Sequence, residues 1–238
     1  MLGVSYVQLV RQNRDFRLFW GGQIVSQLGD WFSAITVQAL LLRYTGQASS
    51  LAWFMVATML PGLLLGPLAG VAVDRLPRKS VMVGADLVRM LIALGFLGFR
   101  GPETAWVAYA CLAGLSSLTA FFEPARIATL PNITSDRELV AANALSSVTW
   151  SILLTSGAIV GGLVGRFFGS DAAFVLNGLS FLGSALLLAR IRVPPTAHEG
   201  HHSQAGAVVA GFRYILDHPQ VLGALTAKLG WGLAGGVQ

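Results

Sequence analysis

The chain has 238 residues, of which 54% are hydrophobic and only 11% charged, with Lys and Arg numbering 16 against 11 Asp and Glu for a net charge of +5. Its mean hydropathy of +0.66 and its repeated apolar runs of about 20 residues, each enough to cross a bilayer core, exclude an ordinary soluble fold. The basic balance needs no nucleic acid, because the cations are spread over the segments between those runs.

The first predicted helix, roughly 17–42, follows Arg11, Arg14 and Arg17. It is too long for a signal-peptide core and has no small-residue cleavage site behind it, so it reads as a retained anchor. Gln23, Gln27, Asp30 and Gln38 fall within an arc of about 80° when each residue turns the helix by about 100°. They form a polar stripe on an apolar rod. An ionised Asp near the bilayer centre costs roughly 3 kcal/mol on insertion scales, which sends it to a bundle interior or a watered cavity. Asp30 is thus a cavity-facing candidate for proton coupling, with a plain bond to a neighbouring helix as the alternative.

The second helix, 51–73, carries Gly62, Gly66 and Gly70 at every fourth position, a pattern suited to close approach of a neighbour. A charged turn follows, in which Asp74, Arg75, Arg78 and Lys79 crowd into six residues. The third helix, 80–99, holds Asp86 and Arg89 three residues apart, where an ion pair would neutralise two otherwise costly charges. The fourth, 104–124, contains Cys111, the only cysteine, so no disulfide forms within the chain. Glu123 is expected to close this helix ahead of Pro124 near the cytoplasmic mouth, serving either in coupling or as a carboxylate paired with Arg126.

The fifth helix, 140–168, presents Asn143 and Ser147 as a possible cavity wall and repeats glycine at 157, 161 and 165. The sixth, 172–190, offers Asn177, Ser180 and Ser184, suited to interhelical hydrogen bonds. Residues 191–218 read as a linker with Pro194-Pro195 and an apolar stripe of Val208, Val209, Phe212, Ile215 and Leu216 suited to lying on the membrane. His198, His201 and His202 in it read as solvated residues, with no metal site expected anywhere. A seventh helix, holding Lys228, begins near Pro219.

Orientation follows from the cations. One face collects Arg11, Arg14, Arg17, Arg75, Arg78, Lys79, Arg126, Arg137, Arg190, Arg192 and Arg213, against Arg43, Arg100 and Arg166 on the other. The N-terminus is therefore expected in the cytoplasm, in a multi-pass protein of the cytoplasmic membrane. The fold class is all-α: a six-helix transmembrane bundle over 1–190, a linker over 191–218, and the start of a further helix over 219–238.

The turn Gly70-Val71-Ala72-Val73-Asp74-Arg75-Leu76-Pro77-Arg78-Lys79 resembles the signature between helices two and three of the major facilitator superfamily, Gly-x-Leu-Ala-Asp-Arg-x-Gly-Arg-Lys. Gly70, Asp74, Arg75, Arg78 and Lys79 match, while Ala72, Val73 and Pro77 depart from it. The pieces Asn13-Arg14-Asp15-Phe16-Arg17, Ser26-Gln27-Leu28-Gly29-Asp30, Glu123-Pro124-Ala125-Arg126 and Ala142-Asn143-Ala144-Leu145 are similar to the drug-exporter branch that includes macrolide-efflux and enterobactin-exporter proteins. Gly157, Gly161 and Gly162 match an antiporter motif of the fifth helix, with Ala158 where that motif has Pro.

The resemblance implies alternating access, with Asp74, Arg75 and Arg78 latching the cytoplasmic side. It also implies proton-coupled efflux of an amphipathic drug, antibiotic or siderophore-like molecule, with a second six-helix half completing the cavity. The alternative is a half-size membrane protein acting as a homodimer or as a non-transporting partner. No nucleotide-binding Gly-x-x-x-x-Gly-Lys-Ser/Thr loop, metal-ligand spacing or nucleophile elbow occurs. The expected energy source is the proton gradient, with no cofactor and no enzymatic reaction.

Overall fold

A computed structural model describes residues 5–194. The predicted linker stripe, the three linker histidines, Lys228 and the seventh helix lie outside the described residues. Those that are described form helices α1 (Tyr6–Gln12), α2 (Arg14–Thr45), α3 (Ser49–Arg75), α4 (Arg78–Gly95), α5 (Ala105–Ile133) and α6 (Asp136–Leu188), with short 3₁₀ turns at Phe96–Gly98 and Pro102–Thr104.

Gly169, at φ 84°, interrupts α6 with a conformation that glycine adopts freely. The chain reverses there. Ala141 and Ala142 near the start of α6 and Leu188 at its end belong to the same apolar cluster, so both ends of α6 return to the same end of the bundle. The bundle is a helical membrane bundle. Four stretches are long and apolar enough to cross a bilayer: Ser49–Arg75, Arg78–Gly98, Pro102–Ile133 and Asp136–Leu188. The polar stripe of α2 dilutes its hydropathy, although its 32 residues exceed the length needed.

Local signals set the helix ends. Asn13 caps α2, its side-chain oxygen accepting from the Phe16 N–H at 2.9 Å, and Gly46, at φ 63°, closes it in a left-handed turn. Glu138 accepts from the backbone N–H and the hydroxyl of Ser135 at 2.9 Å, starting α6. Two boundaries correct the sequence reading. A short helix, α1, precedes the predicted first helix, and its Leu9 is fully buried. Helix α5 does not stop at Glu123 but continues through Pro124 and Pro131 to Ile133. A proline removes one ladder hydrogen bond, and in a membrane bundle neighbouring groups make that tolerable.

Two apolar clusters hold the bundle, one at each end. Leu9, Phe16, Val73, Met82, Leu130, Ile133, Leu188 and Ile191 pack at the end that carries most of the cations. Val37, Leu41, Phe54, Phe96, Phe99, Ala108 and Phe174 pack at the other, where Arg100 also pairs with Asp171 at 2.7 Å on the surface. Between them the buried residues turn polar: Gln23, Ser26, Ser33, Asp86, Arg89, Asn177, Ser180 and Ser184 all lie below a tenth exposed. This belt is where the candidate site is found.

Helix α2 runs through the centre of this arrangement, clasped by both legs of α6. A Cβ at Gly157 would run into the Trp31 ring, one at Gly161 would stand 2.6 Å from the Trp31 carbonyl, and one at Gly165 3.0 Å from Thr36 Oγ1. On the other leg, Asn177 and Ser180 fill the space beside Gly29. The glycines of α3 behave differently from expectation: Gly62 approaches only the Ser116 hydroxyl, at 3.7 Å, and Gly66 and Gly70 meet nothing within 4 Å. Among the described residues, the glycine repeat of α6 lies at a tight helix contact and that of α3 does not.

Candidate functional site

The polar stripe of α2 meets α5 in the belt. Arg126 donates from Nε and Nη2 to the same oxygen of Glu123, at 3.0 and 2.8 Å, and its Nη1 reaches Gln23 Oε1 at 3.5 Å. Gln23 is 5% exposed, whereas the side chains of Arg126 and Glu123 are 18% and 40% exposed. The pair is thus not a surface salt bridge turned to water on all sides. Because α5 runs on to Ile133, Glu123 stands only about 6 Å along the axis from the midpoint of its helix. The local sequence, with Pro124 next to it, predicts the helix end at this residue.

Asp30 sits at the midpoint of α2. It lies two helical turns beyond Gln23 on the same face, with Gln27 between them. Asp30 is exposed and forms no ion pair with any described residue, while Arg89, Asp86 and Glu123 are the charges within its electrostatic reach. The Oε1 atom of Gln27 is buried without a hydrogen-bond partner. Gln38 is half-buried nearer the opposite end.

Asp86 and Arg89 of α4 form a second, fully enclosed group. Arg89 Nη1 donates to Asp86 Oδ1 at 3.1 Å and Nη2 donates to Thr119 of α5 at 2.8 Å. Its guanidinium lies 4.5 Å from the ring centroid of Phe122 and 5.5 Å from that of Phe181, a desolvated cation–π arrangement. One residue thereby ties α4, α5 and the second leg of α6. Asp86 Oδ2, Arg89 Nε and Ser184 Oγ remain without partners among the described groups.

The Ser33–Asn177 contact joins α2 to α6, with Asn177 Nδ2 donating to Ser33 Oγ at 2.8 Å. Ser33 and Thr119 are not recognisable from sequence, since one serine or threonine in an apolar helix carries no signal until its partner is known. Asn143 and Ser147 are not brought to the α2 stripe. Both are exposed on the first leg of α6. Asn143 donates to its own turn at Leu139, and Ser147 edges an open groove of about 540 Å³ with Ser151, Ile152 and Thr155.

The charged turn divides in two. Arg78 Nη1 donates to the Ala128 carbonyl in the last turns of α5 at 2.7 Å and Lys79 Nζ to the Ile191 carbonyl just beyond α6 at 2.9 Å, cations placed toward the negative ends of helices. Asp74 and Arg75 are exposed and make no such bond to described residues. No group of His, Cys, Asp and Glu suited to hold a metal occurs among the described residues.

Comparison with known proteins accords with this architecture. The family model described as transmembrane secretion effector matches residues 9–234. The chain is 27% identical over 230 residues to the putative bacilysin exporter BacE of Bacillus subtilis, covering 94% of this chain and 57% of that protein. It is 28% identical over 181 residues to macrolide efflux protein A of Streptococcus pyogenes, covering 75% and 45%, and 28% identical over 192 residues to the uncharacterized MFS-type transporter YkuC of Bacillus subtilis, covering 79% and 44%. The chain spans about half the length of the curated relatives it matches. No solved structure matches.

Proposed function

This chain belongs to the transmembrane secretion effector family of major facilitator transporters, and we propose that it forms one half of an exporter driven by proton antiport. The cargo in this reading is an amphipathic small organic molecule, moved outward across the cytoplasmic membrane by alternating access. The N-terminus and the cation-rich end face the cytoplasm, in keeping with the distribution of Arg and Lys. The opposite wall of the cavity is contributed by a second half, from further residues or a second copy.

The observation that carries the proposal is the position of Asp30. It is an exposed carboxylate with no ion-pair partner among the described residues, at the middle of a membrane-length helix and between two apolar end clusters. Such a group is costly in a bilayer unless it faces a watered path, and near the midplane it stands where transporters of this architecture bind cargo. Taking up and releasing a proton changes the charge of that surface by one unit, which biases the two access states differently. Asp74 and Arg75, which unlike Arg78 and Lys79 bond to no other element among the described residues, supply the latch between halves.

The test is export into everted vesicles under an imposed proton gradient. Asp30→Asn is expected to abolish gradient-driven export while the protein remains at normal abundance in the membrane. Unchanged export would remove Asp30 from coupling.

A further inference from the structure

We propose that the cations gathered where the start of α2 meets the end of α6 form a binding site for anionic phospholipid headgroups, with α1 lying at the lipid surface beside them.

Three hydrogen bonds bring distant parts of the chain to residues 190–192. Arg14 Nη1 reaches the Arg190 carbonyl at 3.5 Å, Lys79 Nζ donates to the Ile191 carbonyl at 2.9 Å, and the Arg192 N–H donates to Asp15 Oδ1 at 3.1 Å. The starts of α2 and α4 thereby join the end of α6. Arg11, Arg14, Arg17, Arg190 and Arg192 are all exposed at this junction. Among the described residues their one ion pair is Arg14 with Asp15, at 3.6 Å. The carbonyl contacts of Arg14, Arg17 and Lys79 orient these side chains without cancelling their charge. With Lys79 counted, six cations face one carboxylate, and phosphate oxygens complement such a patch.

Depth and the face of α1 point to a lipid and not to a soluble anion. Arg17 lies thirteen residues before Asp30 at the midpoint of α2, roughly 20 Å along the axis. In a bilayer centred on that midpoint this is the headgroup layer. Helix α1 is pinned beside it: Arg17 Nη1 donates to the Val10 and Arg11 carbonyls at 3.0 and 3.2 Å, and Asn13 Nδ2 donates to the Ile133 carbonyl at 2.8 Å. Leu9 is buried in the bundle, whereas Tyr6 and Val7 are 55% and 60% exposed. Tyr6, Val7 and Val10 share an arc of about 100° on α1. An exposed Tyr and Val beside Arg11 suit the boundary between headgroups and acyl chains, where an amphipathic helix rests.

The test uses the full protein purified in its native assembly and placed in phosphatidylcholine nanodiscs. Electron spin resonance compares its association with spin-labelled phosphatidylglycerol and spin-labelled phosphatidylcholine. The wild type is expected to prefer phosphatidylglycerol at least about fivefold, the ratio one basic residue at a lipid surface supplies. The double variant Arg190→Gln with Arg192→Gln should lose most of that preference. The pair Arg43→Gln with Arg166→Gln, which removes equal charge from the other end, should keep it. Arg11→Gln, whose side chain bonds to no described residue, should weaken the preference and serves if the double variant fails to accumulate. Equal association of the two lipids with the wild type overturns the site. So does an equal loss in both double variants, which would reduce the effect to net charge. Displacement of the labelled phosphatidylglycerol by millimolar inorganic phosphate would overturn the lipid assignment in favour of a soluble anion.

Discussion

The Trp31 carbonyl lies 2.6 Å from where a Cβ would stand at Gly161, so these two helices touch backbone to backbone at that point. The contact depends on the absence of one methyl group. Helix association in a membrane gains nothing from burying apolar surface away from lipid and rests on close packing of this kind.

Gly161→Ala should therefore destabilise the bundle by about 1–3 kcal/mol, the usual cost of overpacking a tight site. Thermal unfolding in detergent, followed by tryptophan fluorescence, measures it. Gly66→Ala is the control: a Cβ there meets nothing within 4 Å, and the same scan should show no change. A normal transition for Gly161→Ala would contradict the packing of α2 on α6.

The Asp86–Arg89 pair gives a sharper comparison. Asp86→Asn leaves a buried guanidinium without its counter-ion, and Arg89→Leu leaves a buried carboxylate. Each should cost about 3–5 kcal/mol, as removal of one partner from an enclosed pair does. The double variant Asp86→Leu with Arg89→Met should recover much of that loss, because it removes both charges and keeps an apolar filling. Unfolding of the three variants side by side reads the coupling. Strictly additive losses would show that the two charges do not act as a pair.

The charged turn should separate stability from transport. Lys79→Ala removes the Nζ contact to the Ile191 carbonyl and is expected to lower the unfolding temperature measurably. Asp74→Asn breaks no bond within the described bundle; it should leave that temperature unchanged and slow export in vesicles. A normal export rate in Asp74→Asn would remove it from the latch.

Much of the helical layout was legible, because a run of about 20 apolar residues in a membrane has few alternatives to a helix. The reversal at Gly169 fell in the gap already left between residues 168 and 172. What failed to show was partnership. The Gln23–Asp30 stripe is a periodicity and can be read from spacing, but that Arg126 turns toward Gln23, or that Asn177 finds Ser33, depends on how helices rotate against one another. Pro124 misled for a related reason: the freed carbonyl is harmless only in a surrounding that the local sequence does not contain. The glycine repeats of α3 and α6 are identical in spacing, yet α6 lies against α2 along Gly157 and Gly161 while α3 presents Gly66 and Gly70 to open space.

The two apolar clusters at the ends, with polar residues across the middle, have a mechanical meaning. The helices are packed by apolar side chains at both ends and joined at the waist largely by hydrogen bonds and ion pairs, contacts that can exchange partners without separating either cluster. Pro61 and Pro124 each delete a ladder bond near the middle of α3 and α5. The bundle thus concentrates both its exchangeable polar contacts and its interrupted backbone ladders at the level of Asp30, between two apolar ends.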